Sequence, residues 1–263
     1  MSQAVEPTPP VDEVEASRMP LIDHLIELRN RMMWALGGLA LGMVVSLAYA
    51  EEVYRWLTAP FNKALLDANV DGALAIVNSP FEGVYTYLRV AFFGGIVLSS
   101  PVLAYQVWRF VAPGLYSNER RVVVPLAFCS TVLFGGGAGF CYYVIFPYAF
   151  PFFLNVVEAE ASLSIAGYLS AVVRMMGAFG LSFQLPVATW FAARAGLLDH
   201  KDMIGGFRYA VVGIFVIAAI LTPPDVLTQS LLAAPLIVLY ALSIGIAWAS
   251  TTKQRIEDLT EGS

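Results

Sequence analysis

Three stretches of this chain, Met32–Ala50, Val90–Trp108 and Met175–Ala193, each run 19 residues without a charged side chain. At 1.5 Å per residue, a helix of that length is just able to cross the ~30 Å hydrocarbon layer of a bilayer. Composition agrees, with 58% of the 263 residues apolar and only 13% charged, about half the charge of an average soluble domain. That balance excludes a soluble globular enzyme, a disordered chain and a basic nucleic-acid-binding domain. The net charge of −5 argues in addition against a polybasic surface for nucleic acid or anionic lipid.

The remaining apolar stretches complete the span count. Between Arg121 and Glu158 the uncharged run is too long for one perpendicular helix, and Pro147 and Pro151 fall in its last third. It is read as one span with an apolar, aromatic-rich extension at the interface. The stretch from Tyr209 to Thr252 is broken by Thr222, Pro223, Pro224 and Asp225, which no continuous helix tolerates at its centre, so it is read as a hairpin of two spans. Its first arm, Tyr209–Leu221, gives only about 20 Å of helix. The fold class is therefore all-α, a polytopic membrane protein of six spans with a short fifth and sixth helix.

Six spans put both termini on one side. Of the 15 Lys and Arg, 11 fall on that side, and Arg55, Lys63, Arg89 and Arg174 on the other. The positive-inside rule then places both ends in the cytoplasm. The outer loops are expected at 51–87, at 158–167 and at the Pro-Pro-Asp turn. Residues 1–19 read as a disordered cytoplasmic tail with no signal peptide, 20–250 as a single transmembrane domain, and 251–263 as a cytoplasmic C-terminal tail. Just before the first span, Leu21, Leu25, Leu28 and Met32 follow helical spacing opposite Asp23, Glu27, Asn30 and Arg31, an amphipathic helix running into that span.

A few polar residues are not explained by composition. Glu27 and Arg31 stand at i,i+4 and can pair. Glu119 precedes Arg120 and Arg121 in a short loop on the same side. By pattern alone these are solvated charges at the membrane surface, yet the two carboxylates could also accept guanidinium groups. Gln184 lies within the fourth span, where its amide needs a hydrogen-bond partner, either from a neighbouring helix or in a functional polar patch. Asp225 is placed to cap the sixth span, and Arg174 to snorkel at the outer end of the fourth. Gly38/Gly42 and Gly135/Gly139 have the small-xxx-small spacing of close helix packing, read here as packing within the chain, with a self-association face as the alternative. Cys129 and Cys141, about 18 Å apart on one helix, cannot bridge within it. No nucleophile elbow, phosphate loop, metalloprotease pair or zinc spacing occurs, so an enzyme reading has no candidate constellation.

Seven pieces in order resemble the TatC family, the multi-spanning subunit of the twin-arginine protein translocase. They are Leu21 to Arg29 (LIDHLIELR); Ala59-Pro60; Ser79 to Phe81; Tyr105 to Tyr116 (YQVWRFVAPGLY) leading into Glu119, Arg120 and Arg121; Phe146-Pro147; Phe179 to Phe183 with Pro186; and Leu221 to Asp225 (LTPPD). The resemblance implies a non-enzymatic receptor in the bacterial cytoplasmic (inner) membrane, binding signal peptides with paired arginines on folded proteins exported by the protonmotive force. It implies signal-peptide contacts at Glu27, Glu119, Arg29, Phe110 and Arg121, and a functional outer loop at Pro60. It also implies docking of TatA- and TatB-type single-span proteins at Gln184, Leu221, Thr222, Pro223, Pro224 and Asp225. Further copies of the chain and membrane lipid complete the partners, with no nucleic acid, cofactor or metal. Where most of the family carries glutamate, this chain has Gln184, which hydrogen-bonds but cannot ionise. A small-molecule or ion transporter is the rival reading; the near absence of ionisable groups at mid-membrane speaks against it.

Overall fold

The computed structural model describes residues 21–67, 80–111, 120–149, 165–221 and 226–261. Every element among them is helical: α1 Leu21–Ala48, α2 Ala50–Asp67, α3 Pro80–Val111, α4 Arg120–Phe140, a π-helical turn Cys141–Ile145, α5 Ile165–Ser182, α6 Leu185–Arg194, α7 His200–Gly205, α8 Phe207–Leu221 and α9 Val226–Glu261. Five helical stretches are long and apolar enough to cross a bilayer, namely Leu25–Ala48, Phe81–Val111, Val122–Ala149, Ile165–Arg194 and Gln229–Thr251. The sixth, α8, has 15 residues and is about 22 Å long, short of the hydrocarbon thickness. We call the end of the bundle where α1 begins and α9 finishes the terminal end, and the other the far end.

The bundle is built on close backbone approach. α1 lies antiparallel on α3 with Gly42 against Gly95: a Cβ added at Gly42 would stand 2.7 Å from the Gly95 carbonyl oxygen, and one at Gly95 would stand 2.9 Å from the Met43 Cα. Gly38 meets Val102 and Gly94 meets Ser46 in the same seam. α4 and α5 repeat the device, with Gly137 against the Phe179 carbonyl and Gly180 against the Phe134 ring. Membrane helices gain little from hydrophobicity against lipid, so packing at small residues is what brings them together. Gly135 and Gly139 differ: nothing lies within 4 Å of a Cβ at either, so this pair does not serve the packing within the chain expected of it.

One core joins α2, α3, the π turn, α5, α8 and α9 around Phe61, Leu57, Val90, Val172, Phe179 and Leu232, all buried. A second, at the terminal end, gathers Trp108, Val123, Leu126, Ala127, Val187 and Phe191 from α3, α4 and α6. Exposed Trp34, Leu41, Val44, Phe128 and Ile220 form the apolar exterior proper to lipid-facing helices. α7 is tied down where the Tyr240 hydroxyl donates to the Met203 carbonyl at 3.1 Å.

Several sequence expectations shift. The outer loop expected at 51–87 contains α2 and the first turns of α3; Glu51, Glu52, Arg55 and Lys63 hide an amphipathic helix from a search for uncharged runs. The third span continues through the π turn to Ala149. The fourth is not one helix but two, α5 and α6, broken at Phe183–Gln184. The sixth helix is not short: α9 has 36 residues, of which Gln229–Thr251 are apolar, and it continues helical through 251–261, expected as tail. Only α8 is short. The 1–19 tail and the Thr222–Asp225 turn lie outside the described residues.

Gly42→Ala should force α1 off α3 and cost about 1–3 kcal/mol, the usual range for overpacking. A fall of several degrees in the thermal unfolding midpoint of the purified protein would show it, while Gly139→Ala, with open space for its Cβ, should leave the midpoint unlowered or slightly raised.

Candidate functional site: the terminal end and the carbonyl clamps

At the terminal end, the antiparallel register of α1 on α3 brings Glu27 and Arg31 to the level of the last turn of α3, where half-buried Phe110 lies. The Arg31 guanidinium donates through Nη2 to Glu27 Oε1 at 2.9 Å, both side chains being about one-fifth to one-quarter exposed. Glu27 Oε2 accepts no hydrogen bond among the described residues, and Arg31 Nε is buried without a partner. The pair is thus incompletely satisfied on both sides, one carboxylate oxygen open and one guanidinium N–H idle. Arg29 is exposed on the same helix. Glu119 and the side chain of Arg121 lie outside what is described; of the five expected residues, the register puts Glu27, Arg29 and Phe110 at the same end of the bundle.

Gln184 sits in the break between α5 and α6. Its own N–H turns to the Leu181 carbonyl at 3.0 Å, freeing the Gly180 carbonyl. The side-chain amide Nε2 covers that carbonyl at 3.4 Å and donates to the Ser130 carbonyl of α4 at 3.0 Å. Ser130 in turn accepts at Oγ from Trp108 Nε1 of α3 at 2.8 Å, and Trp108 meets Phe191 of α6 edge-on with centroids 5.0 Å apart. Ser130 therefore ties the second, third and fourth spans together, a role that its sequence neighbours give no sign of. Gln184 Oε1 accepts nothing among the described residues. Leu221 lies elsewhere, at the far end of α8 against the main core; Gln184 and Leu221 do not form one patch.

Pro60 is inside α2. Proline has no N–H, so the carbonyl four residues back, that of Trp56, loses its helical donor. The Tyr142 hydroxyl of the π turn donates to this carbonyl at 2.5 Å, and the Tyr168 hydroxyl of α5 donates to the next, that of Leu57, at 3.1 Å. Trp56 also stacks on Tyr142 with centroids 4.1 Å apart. A π turn widens the helix by one residue, and here it presents Tyr142 to α2. Pro101 in α3 is treated alike: Ser100 Oγ donates to the Val97 carbonyl at 2.7 Å. On α2, desolvation first and the neighbouring Tyr87 phenol second raise the Tyr54 pKa above the ordinary tyrosine value.

With this geometry in view, the comparisons decide the family. The model of the Sec-independent protein translocase protein TatC matches residues 23–235. The chain belongs to the TatC family. It is 40% identical to the Sec-independent protein translocase protein TatC of Magnetococcus marinus over 229 residues, 86% of this chain and 83% of that one. Against the TatC of Escherichia coli K12 it is 39% identical over 227 residues, 86% of each. A crystal structure of the twin-arginine translocase receptor TatC superposes with a TM-score of 0.76 at 34% identity, over 87% of this chain and 99% of that one. As a TatC-family chain it is a multi-span membrane component of protein translocation, not an enzyme. Among the described residues no cluster of His, Cys, Asp and Glu is arranged to hold a metal.

Tyr142→Phe leaves the Trp56 carbonyl without a donor and should cost about 1–3 kcal/mol. In a Pro60→Ala background the restored N–H can serve that carbonyl, so the same substitution should cost markedly less. Thermal unfolding of the four proteins in a double-mutant cycle measures the difference.

Proposed function

We propose that this chain is the membrane receptor for signal peptides carrying paired arginines, with its terminal end in the cytoplasm of a bacterial cell and its spans in the cytoplasmic membrane. The observation that carries the reading is the Glu27 carboxylate: it binds one guanidinium, that of Arg31, through Oε1, and among the described residues Oε2 has no partner. A ligand arginine finds there a carboxylate shaped and charged for it, and guanidinium–carboxylate pairs are among the stronger hydrogen-bonded contacts in proteins. Arg31 acts as the resident partner that keeps Glu27 from lying unpaired while the site is empty. Glu119 supplies the second carboxylate, Phe110 an apolar wall, and Arg29 and Arg121 border the surface. Family membership supports each assignment. The 11-to-4 distribution of Lys and Arg supports the orientation.

The same reading gives two places to TatA- and TatB-type single-span partners. One is the α8–α9 turn, from Leu221 through Thr222, Pro223, Pro224 and Asp225. The other is Gln184, whose Oε1 can accept a hydrogen bond from a polar group on an incoming helix inside the bilayer. Since Gln184 cannot ionise, this docking is hydrogen-bonded rather than ion-paired. Further copies of the chain and membrane lipid are its other neighbours.

Glu27→Ala should weaken site-specific crosslinking to a twin-arginine signal peptide by about tenfold or more, as expected for losing a charged hydrogen bond worth about 1.5–3 kcal/mol. The variant should remain folded and membrane-inserted; Glu119→Ala should behave alike, and unchanged crosslinking in both would refute the site. Gln184→Leu removes both the amide clamp and the open acceptor. It should lower thermal stability and reduce crosslinking of a TatB-type helix to a cysteine placed beside position 184, whereas Gln184→Glu should retain the crosslink.

A further inference from the structure

The far end carries a pair of cations that the receptor reading does not use. Arg89 on α3 and Arg174 on α5 each stand immediately before a 19-residue uncharged run, and each is followed 20 residues later by another arginine, Arg109 and Arg194. Twenty residues of helix span about 30 Å, so α3 is bracketed by arginines near the two boundaries of the hydrocarbon layer, and the fourth span has the same sequence spacing across its α5–α6 break. The terminal-end pair is accommodated by aromatic rings, Arg109 over Tyr105 at 5.7 Å and Arg194 over Trp190 at 5.6 Å.

The far-end pair instead converges on one residue. Arg89 donates through Nη1 to Ser170 Oγ, and Arg174 Nε donates to the Ser170 carbonyl at 3.0 Å. Two guanidinium groups thus rest on a single serine, both exposed. Among the described residues no carboxylate pairs with either, although Arg55, also at the far end, has Glu51 and Glu52 at 3.6 and 3.8 Å. Two guanidinium groups held on one serine favour an anion between them, and their depth selects which. At the edge of the hydrocarbon layer the abundant anion is the phosphate of a lipid headgroup. The exposed Tyr85, Tyr87 and Leu88 just above Arg89 supply the aromatic and apolar side chains typical of that interfacial zone.

We propose that Arg89 and Arg174, seated on Ser170 at the seam of α3 and α5, bind the phosphate of an anionic phospholipid in the leaflet at the far end. The site differs in kind from a polybasic surface: it is two planar forks at one depth, suited to phosphate oxygens. The lipid closes the α3–α5 seam where the two helices meet the headgroup layer. It is independent of the signal-peptide site at the opposite end.

Native mass spectrometry of the full-length protein released from membranes tests it. The wild type should retain phosphatidylglycerol or cardiolipin in preference to phosphatidylethanolamine. Arg89→Gln/Arg174→Gln should lose that retention at least severalfold, while Arg89→Lys/Arg174→Lys keeps most of it and crosslinking to signal peptide is unaltered in both. A parallel measurement on the wild type, independent of any variant, is its thermal midpoint in vesicles. That midpoint should rise when phosphatidylglycerol replaces phosphatidylcholine. Equal retention in the glutamine variant, equal retention of the neutral lipid, or a midpoint indifferent to phosphatidylglycerol would overturn the proposal. Displacement of the bound lipid by millimolar inorganic phosphate would also overturn it, by making the site a general anion site.

Discussion

A backbone carbonyl inside hydrocarbon has no water to turn to, and leaving one unpaired costs several kcal/mol. Several departures from regular helix in this bundle are met by a side chain that supplies the missing donor. Where Pro60 removes a donor, Tyr142 reaches across from another helix to supply one. Where Pro101 does so, Ser100 answers from the preceding position. Where the fourth span breaks, the Gln184 amide covers the exposed Gly180 carbonyl and also grips α4. Gln229 acts similarly across the last hairpin, donating to the Phe215 carbonyl at 2.9 Å. At Pro60 and at Gln184 the irregular point is also a point where helices are joined, since Tyr142 comes from another helix and Gln184 bonds α4 as well.

The same economy separates the two ends of the molecule. The terminal end carries the Glu27 carboxylate, paired with Arg31 through one oxygen; under the proposed function the second oxygen is the acceptor for an arriving arginine. At the far end the paired groups on Ser170 are instead two guanidinium groups, Arg89 and Arg174. Between them the spans carry almost no ionisable group, so neither end perturbs the other through the low-dielectric interior.

How much of this could be read from the sequence follows the range of the interactions. Uncharged runs located the spans because a bilayer constrains length directly. The Glu27–Arg31 pair was legible because it lies within one turn of one helix, and the need of Gln184 for a partner was legible from the cost of an amide in lipid. The partner itself was not: Ser130 is 54 positions away in sequence, and a serine in an apolar run carries no mark of being a junction. α2 was missed because its charges interrupt apolarity while preserving helical spacing. The length of α9 was misjudged because the double proline draws attention to where it starts and says nothing of where it ends. Gly135 and Gly139 share the spacing of Gly38 and Gly42 yet face open space, since a motif records which residues could approach and only the fold decides which do.

The Ser130 junction has a mechanical corollary. Hydrogen bonds from Trp108 and Gln184 meet there, so the second, third and fourth spans form a riveted tripod. Among the described residues, by contrast, no side chain of α1 donates a hydrogen bond to α3; that seam is held by close packing at Gly38, Gly42, Gly94 and Gly95. At the junction one serine side chain and one serine carbonyl hold three spans in register, so a change at position 130 reaches all three at once, whereas a change at Gly42 reaches only the pair it separates.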